Sequence, residues 1–172
     1  MGEQMRDNTK LKYKPSKIYS RIEDVNLEEL KNQDIEGIFL DVDNTLFDAS
    51  SIITEAVDEW LKKAISMGFK LCILSNTHST KKVQLLRQRY NILGIPLASK
   101  PRQKGFNIAR NLVDLPKDKL CIIGDQVFTD ILGGNKFGIM TILVKPISNK
   151  EGIFTKIKRP FEKKVLNKLM EE

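Results

Sequence analysis

Carboxylate side chains occupy unusual positions in this sequence of 172 residues. Asp41 and Asp43 come directly after an apolar run, and Asp125 comes directly after another. Carboxylates are costly at the edge of a hydrophobic core unless something compensates their charge. Two further polar side chains, Ser75 and Lys100, also follow short apolar runs. The five residues together predict a chemical site.

These residue types support phosphoryl transfer through an aspartate. A carboxylate such as Asp41 can attack phosphorus and carry it as an acyl phosphate. Both partners are anions, so a cation is needed, and oxygen ligands from Asp41, Asp125 and a main-chain carbonyl suit Mg²⁺. Lys100 offers a positive charge to the phosphoryl oxygens, and Ser75 offers a hydrogen bond. Asp43 reaches the same side of the strand end, where it can protonate the leaving oxygen and then deprotonate water.

Simpler interpretations of the same residues stay open. Asp41 and Asp43 could form a turn with a helix N-cap, since Asp favours such positions. Lys100 could be a surface lysine, and Lys104 is a rival for its role. Asp130 could cap a short helix as readily as it could support a metal site.

The elements that would position these residues alternate along the chain. The predicted strands are 36–42, 69–74, 95–98, 119–124 and 140–146, and the predicted helices are 52–67, 79–91, 104–115 and 129–138. This alternation predicts a Rossmann-like, doubly wound α/β fold with a parallel five-stranded sheet. Ligands bind such sheets beyond the carboxyl ends of the strands, which is where the polar residues lie.

A single domain overall is expected from the length of the chain. Residues 1–35 are predicted to form an N-terminal extension with one short helix, LEELKNQ. Residues 36–172 would form the main domain, which ends in a basic amphipathic helix from Phe154 onward.

The charge of the chain points to an anionic partner. The net charge is +7, and neither Asp nor Glu occurs between Trp60 and Val113. Solvated helix faces explain most charge runs. A span of this length also suits a phosphate ester, a nucleic acid or an acidic membrane surface.

Several other classes of protein are disfavoured by composition. Cys72 and Cys121 lie inside apolar runs, which predicts small buried side chains, and His78 is the single histidine of the sequence. The sequence therefore has too few cysteine and histidine residues to favour a zinc cluster or a Ser-His-Asp triad. The sequence has no apolar run of about 20 residues and no secretory signal, so a cytoplasmic protein is expected.

With these residues in place, the sequence resembles the haloacid dehalogenase (HAD) superfamily of phosphatases. The stretch 41–45, DVDNT, is similar to its first motif, DxDxT, and the stretch 75–77, SNT, is similar to the second. Lys100 fits the third motif, and the stretch 124–130, GDQVFTD, fits the fourth. The four motifs occur in order, and 34, 25 and 25 residues separate Asp41, Ser75, Lys100 and Asp125.

The resemblance implies a role for each matching residue. Asp41 would be the nucleophile and Asp43 the general acid and base. The residues that would bind the substrate phosphate are Ser75, Asn76 and Lys100.

The resemblance also implies the metal ligands. Mg²⁺ would bind Asp41, the main-chain oxygen of Asp43, and Asp125. Asp130 and Thr45 would contact these ligands and hold them in place without binding the metal themselves.

The similarity is closer to the YqeG-like subgroup of HAD subclass IIIA, and it runs from about Leu11 through the C-terminal helix. Its relatives include enzymes that dephosphorylate phosphatidylglycerophosphate to phosphatidylglycerol, but the four motifs are common to all HAD phosphatases. Many HAD enzymes insert a cap domain after the first motif or the third strand. Neither place has room for one here, so a capless, open site is expected.

The resulting hypothesis is an Mg²⁺-dependent phosphatase that acts on a lipid head group of the phosphatidylglycerophosphate type. Such an enzyme would associate peripherally with the inner face of an anionic membrane. One alternative is a phosphatase for nucleic-acid ends or a soluble phosphoester. Another is a non-catalytic module that binds RNA or a ribosome surface.

Overall fold

Strands and helices alternate along the chain in a computed structural model, which describes residues 11–48 and 50–147 together with Pro160 and Asn167. The strands are β1 (Lys17–Tyr19), β2 (Gly37–Leu40), β3 (Lys70–Leu74), β4 (Leu93–Ile95), β5 (Leu120–Gly124) and β6 (Met140–Val144). The α-helices are α1 (Leu27–Asn32), α2 (Glu55–Ser66), α3 (Thr80–Tyr90), α4 (Gln103–Val113) and α5 (Leu132–Phe137). Short 3₁₀ turns cover Ile22–Asp24 and Lys117–Lys119, and a π-helical turn covers Val127–Ile131.

All the strands form one parallel sheet in the order β1-β6-β5-β2-β3-β4. The doubly wound α/β class is thereby confirmed, but the predicted number of strands was wrong, because the described residues form a sheet of six strands and not five. The additional strand is β1, a three-residue edge strand that pairs with β6. Such an edge strand pairs with one neighbour and packs against the core with one face. Its sequence therefore lacks the continuous apolar run of a central strand.

The predicted position of β4 was also wrong, because the strand covers Leu93–Ile95 and not 95–98. Pro96 has no N–H to donate to a ladder, and Leu97 has a left-handed φ of 53°. The chain therefore leaves the sheet after Ile95. Ala98 returns to it through a hydrogen bond from its N–H to the carbonyl oxygen of Ser75, at 2.9 Å.

The remaining predicted elements agree with the structure to within about three residues, apart from one helix. The predicted helix 129–138 is divided into the π-helical turn Val127–Ile131 and α5. The predicted C-terminal basic helix from Phe154 onward lies outside the described residues, apart from Pro160 and Asn167, which are helical and exposed. Among the described helices, none is long and apolar enough to cross a membrane.

The N-terminal segment joins the same sheet and core as the rest of the chain. Its predicted short helix is α1, whose Leu27 and Leu30 are buried in the main hydrophobic cluster. The division into an extension, 1–35, and a main domain, 36–172, stays a prediction. Residues 41–54 and 96–102 join the neighbouring elements and are too short to hold an inserted domain.

The central strands are buried on both faces, as their continuous apolar runs predict. Ile38, Leu40 and Ile123 belong to the hydrophobic cluster on one face, and Phe39 and Ile122 belong to the cluster on the other. This alternation follows from the two-residue repeat of a strand. The sheet between the two clusters gives a rigid base for the residues that follow its strands.

The two cysteines are free and completely buried within these clusters. Burial raises the pKa of the Cys72 thiol to about 12 and raises the pKa of Cys121 as well. Both thiols therefore stay protonated near neutral pH, and their expected role as small apolar side chains fits this environment.

Close packing explains the paired glycines of α5. A Cβ atom on Gly134 would lie 2.6 Å from Thr141 Cγ2 and 2.7 Å from Ile122 Cγ2. A Cβ atom on Gly133 would lie 2.7 Å from the ring of Phe106. The two glycines let α5 lie directly on the sheet and on α4.

We expect the substitution Gly134→Val to destabilise the fold by about 2–3 kcal/mol, because overpacking a rigid sheet forces side chains off their rotamers. Urea unfolding followed by circular dichroism measures this change. Asn111→Ala, at an exposed position of α4, is the control and should leave the unfolding midpoint nearly unchanged. A Gly134→Val protein with the wild-type midpoint would contradict the packing interpretation.

Candidate active site

Three adjacent strands end at the same edge of the sheet and present the predicted site residues there. Leu40 of β2 pairs with Ile73 of β3 on one side and with Ile123 of β5 on the other. Asp41 follows β2 directly, and its N–H donates to the Ile123 carbonyl oxygen at 3.0 Å. Ser75 follows β3, and Asp125 follows β5. The structure thus brings Asp41 between the other two.

The carboxylate of Asp41 is buried and held by two donors. Its Oδ1 accepts hydrogen bonds from Ser75 Oγ at 3.0 Å and from Lys100 Nζ at 2.8 Å. The Ser75 hydroxyl is itself fixed, because its oxygen accepts from the N–H of Thr77 at 3.2 Å. The two contacts to Oδ1 therefore fix the orientation of the Asp41 carboxylate, and the Lys100 ammonium places a positive charge beside it.

Lys100 is a completely buried cation between two carboxylates. Its Nζ lies 2.5 Å from Asp130 Oδ1 as well as 2.8 Å from Asp41 Oδ1. Burial alone would lower the pKa of Lys100, but the ion pairs with Asp130 and Asp41 outweigh it and raise the pKa. The ammonium is therefore a permanent charge. The rival Lys104 is exposed on α4.

Asn76 positions the main chain of Lys100. The Asn76 Oδ1 accepts from the Lys100 N–H at 2.7 Å, and the Asn76 Nδ2 donates to the Lys100 carbonyl oxygen at 3.0 Å. Both hydrogen-bonding groups of the amide thus contact Lys100. A contact between Asn76 and substrate phosphate stays a prediction.

Asp130 is completely buried, and its contacts are those of a site residue. Its Oδ2 accepts from the Gln126 N–H at 3.1 Å, while its Oδ1 contacts Lys100. Burial raises the pKa of Asp130 to about 6, and the charge of Lys100 opposes this shift. The described α5 begins after Asp130 and has no side-chain cap. Asp130 therefore does not cap α5, although its contact with the Gln126 N–H is that of a capping side chain at the turn Val127–Ile131, and its supporting role at a metal site stays a prediction.

Gly124 makes room for Asp130. A Cβ atom at this glycine would lie 2.3 Å from the Cγ and Oδ2 atoms of Asp130. No side chain fits there unless Asp130 moves. The glycine at the end of β5 thus has a steric function in the site.

The donor set fits a hard divalent cation. Carboxylate oxygens of Asp41, Asp125 and Asp130 lie within 4.8 Å of one another, and all three residues are buried. Three carboxylates near one lysine leave a negative charge that a cation would neutralise, and oxygen ligands suit Mg²⁺. Asp130 was predicted to lie behind the metal ligands, whereas the structure places its carboxylate beside the other two.

The loop after β2 turns back on itself and carries Asp43. The N–H groups of Leu46 and Phe47 donate to the Val42 carbonyl oxygen at 3.0 and 3.1 Å, and Asn44 adopts a left-handed φ of 61°. Asp43 thereby lies at the mouth of the site with 44% of its side chain exposed. This position suits a group that exchanges protons with substrate and water.

Thr45 lies at the inner side of this loop and is buried. Its hydroxyl has no hydrogen-bond partner among the described residues. An unsatisfied buried hydroxyl costs about 1–3 kcal/mol, and a ligand oxygen would remove that cost. The supporting role of Thr45 stays a prediction.

Lys82 is a site residue that sequence reasoning missed. Its Nζ lies 2.5 Å from Asp43 Oδ1 and 5.3 Å from the centroid of the Phe47 ring. It stands in the first turn of α3, whereas acidic residues are the ones favoured at a helix N-terminus. The exposed Lys81 stands in the same turn, so the sequence held no signal that distinguished Lys82.

A separate groove of about 600 Å³ lies between α3 and β4. Its lining includes Val83, Arg87 and Leu93, and it contains none of the predicted site residues. The predicted chemistry therefore concerns the carboxylate cluster and not this groove.

Comparison with known proteins points to one family. A family model described as HAD-hydrolase-like matches residues 97–162. The probable phosphatase YqeG of Bacillus subtilis is 35% identical over 156 residues, which cover 90% of each chain. The chloroplastic/mitochondrial phosphatidylglycerophosphate phosphatase 1 of Arabidopsis thaliana is 27% identical over 143 residues, and the match covers 76% of this chain and 40% of that protein.

A solved structure shares the fold at low sequence identity. The hydrolase of the haloacid dehalogenase-like family from Brucella suis 1330 matches with a TM-score of 0.53 and 13% identity. The match covers 75% of this chain and 93% of that one. This similarity concerns the arrangement of the sheet and its helices.

Proposed function

Because this chain belongs to the HAD-like hydrolase family as a relative of the phosphatase YqeG, we propose that it hydrolyses a phosphoric monoester through an aspartyl phosphate on Asp41. The enzyme class is that of a HAD-type phosphatase. The observation that carries the proposed mechanism is the double contact of Asp41 Oδ1 with Ser75 and with the buried Lys100. A nucleophile for an anionic ester needs such a fixed orientation and a positive charge.

In the first step, a carboxylate oxygen of Asp41 forms a bond to phosphorus while the bond from phosphorus to the leaving oxygen breaks. Asp43 donates its proton to that oxygen, so the leaving group departs as an alcohol and not as an alkoxide. Lys100 and Ser75 stabilise the charge on the phosphoryl oxygens. The product of this step is an acyl phosphate on Asp41.

In the second step, Asp43 takes a proton from water, and the water oxygen attacks the phosphorus of the acyl phosphate. The bond between Asp41 and phosphorus breaks, and inorganic phosphate is released. Asp41, Asp125 and Asp130 would hold Mg²⁺, with the main-chain oxygen of Asp43 as a further ligand. When bound, Mg²⁺ supplies the charge that lets one anion approach another.

We further propose phosphatidylglycerophosphate, or a closely similar lipid head group, as the substrate. The Arabidopsis thaliana relative is named for this reaction, although the chain spans only 40% of that protein. The half-exposed Asp43 and the short connections at 41–54 and 96–102 support an open site that admits a bulky substrate. The acid-free span between Trp60 and Val113 supports peripheral contact with an anionic membrane from the cytoplasmic side.

The same basic span favours one other candidate, a phosphatase for nucleic-acid ends or a soluble phosphoester. The open site and the positive charge of the protein suit a polynucleotide phosphate as well as they suit a lipid. The two candidates differ in the leaving group and in whether a lipid surface is needed.

The test is a comparison of substrates at matched concentration. Release of phosphate is measured for phosphatidylglycerophosphate in vesicles, for a 5′-phosphorylated oligonucleotide and for small sugar phosphates. We expect the lipid to react fastest, and binding to anionic vesicles to weaken at high salt because exposed charges are screened. Preference for the oligonucleotide would replace the lipid proposal, and turnover of no phosphoester would refute the phosphatase function.

We expect Mg²⁺ to stabilise the folded protein, since a ligand that binds only the native state shifts unfolding by mass action. At a concentration of about 100 times Kd the gain is about 2.7 kcal/mol, which corresponds to a rise in Tm of roughly 5–10 °C for a domain of this size. Thermal unfolding with MgCl₂ and with a chelator measures the shift.

Asp125→Asn should remove most of this stabilisation, because it removes one charge from the carboxylate cluster. Asp118→Asn, at an exposed position of the turn Lys117–Lys119, should retain it. An equal response of all three proteins would show that Mg²⁺ does not bind at the cluster.

A further inference from the structure

Lys82 is a cation at the mouth of the site that the proposed reaction does not use. Its Nζ lies 2.5 Å from Asp43 Oδ1, and the Phe47 ring lies beneath it at 5.3 Å. Only 15% of its side chain is exposed, although lysine side chains are usually solvated. The ammonium is thus held in one place by a carboxylate and an aromatic face.

The stability of α3 does not explain this placement. Lys82 lies in the first turn of the helix, and its N–H donates to the Oγ of Ser79, the N-cap residue, at 3.4 Å. The N-terminus of a helix carries partial positive charge, which disfavours a cation there. Fixing a long side chain also loses rotamer entropy. An interaction outside the helix must therefore account for Lys82.

The two lysines of the site contact different carboxylates, Asp41 and Asp43. Lys100 contacts the carboxylate of Asp41, on which the phosphoryl group would be received. Lys82 contacts the carboxylate of Asp43, which would protonate the leaving oxygen. The leaving oxygen of a bound substrate would hydrogen-bond to Asp43 as well. If it contacts the same carboxylate oxygen as Lys82 does, the leaving oxygen and the Lys82 Nζ are at most about two hydrogen-bond lengths apart. The ammonium is within reach of the next substituents on the leaving alcohol.

We propose that Lys82 selects substrates whose leaving alcohol carries a second anionic group, such as a phosphodiester. This inference rests on the proposed phosphatase function and names a substrate class for it. A second anion on the leaving alcohol would pair with the ammonium of Lys82, which lies beside Asp43 on the leaving-group side. A phosphomonoester with a neutral leaving alcohol offers no such partner. Specificity then comes from one charge-assisted contact at the leaving-group side.

A purely structural role for Lys82 makes a different prediction. If Lys82 only oriented Asp43, its removal would slow the reaction of every phosphomonoester by a similar factor. If it binds the leaving group, its removal acts mainly on KM, and only for substrates with the second anion. The two roles are separated by comparing substrates and not by the loss of activity itself.

The experiment uses the full chain and three esters of a primary glycerol hydroxyl. Glycerol 3-phosphate has a neutral leaving alcohol. Glycerophosphoglycerol phosphate adds a phosphodiester without acyl chains, and short-chain phosphatidylglycerophosphate adds both. The variants are Lys82→Gln and Lys82→Arg, with Lys81→Gln as a matched control because Lys81 is the exposed neighbour on the same helix.

We expect Lys82→Gln to lower kcat/KM about tenfold for the two substrates with a phosphodiester, mainly through KM, as for the loss of one contact between charged groups. The loss for glycerol 3-phosphate should be several-fold smaller, because this substrate shares only the contact between Lys82 and Asp43 and has no second anion to lose. Lys82→Arg should restore most of the loss, and Lys81→Gln should behave as the wild type. An equal effect on the soluble head group and the lipid would identify the phosphodiester as the group that is bound.

A loss of the same size for all three substrates, or no loss for any of them, would overturn the inference while leaving the phosphatase function intact. A loss confined to the lipid would overturn it as well, because the acyl chains and not the phosphodiester would then be sensed. If the wild-type protein hydrolyses none of the three esters nor an aryl phosphate, the proposed function and this inference both fail.

Discussion

Asp41→Asn should reduce turnover about 10⁴- to 10⁶-fold, the range found when an enzymatic nucleophile is removed. An amide cannot form the acyl phosphate, so the phosphoenzyme should also be absent after rapid acid quenching. The fold should persist, because the amide oxygen can still accept from Ser75 and Lys100. Steady-state hydrolysis of an aryl phosphate and mass spectrometry of the quenched protein measure the two effects.

The matched control for this substitution is Asp118→Asn, which makes the same chemical change at an exposed position far along the chain. It should keep wild-type activity. Near-normal turnover by Asp41→Asn on any phosphomonoester would show that another group is the nucleophile, and the proposed mechanism would then have to be abandoned.

Asp43→Asn should separate the two steps of the reaction. An aryl leaving group needs little protonation, so the phosphoenzyme should still form, but its hydrolysis should slow about 10²- to 10⁴-fold because the base for water is lost. A burst of phenol equal to the enzyme concentration should precede slow turnover. Stopped-flow absorbance follows the burst, and acid quenching identifies the accumulated phosphoenzyme.

Stability distinguishes this effect from a damaged fold. Asp43 is nearly half exposed, and its ion pair with Lys82 lies at the surface of the site. Its loss should change the free energy of unfolding by less than about 1 kcal/mol. If the second step runs at the wild-type rate in Asp43→Asn, another residue activates the water.

The sequence predicted the central part of the fold and the cluster around Asp41 because both depend on strong local patterns. The buried strands are continuous apolar runs, and the residues after them stand out by their polarity. The parallel arrangement then requires Asp41, Ser75 and Asp125 to meet at one edge. The weak points were the edges of the sheet, where β1 and β4 are three residues long and partly exposed.

The contacts that the sequence could not predict depend on tertiary geometry. Asp130 reaches Lys100 only because a π-helical turn follows β5 and because Gly124 lacks a Cβ atom. Lys82 is one of eleven Lys and Arg residues between Trp60 and Val113, and its residue type and position in the sequence did not distinguish it from the others. Its role depends on how the first turn of α3 meets the loop after β2. That contact joins residues 39 positions apart.

The pairing of β1 with β6 has a consequence for how the chain is made. Ser16 and Thr141, which hydrogen-bond beside this pair, are 125 residues apart. At a synthesis rate of about 5–20 residues per second, the ribosome needs roughly 6–25 s to cover that distance. β1 therefore waits without a partner while the nascent strands of the site are already emerging. Until β6 follows, β5 is a bare, apolar edge that another nascent chain can join.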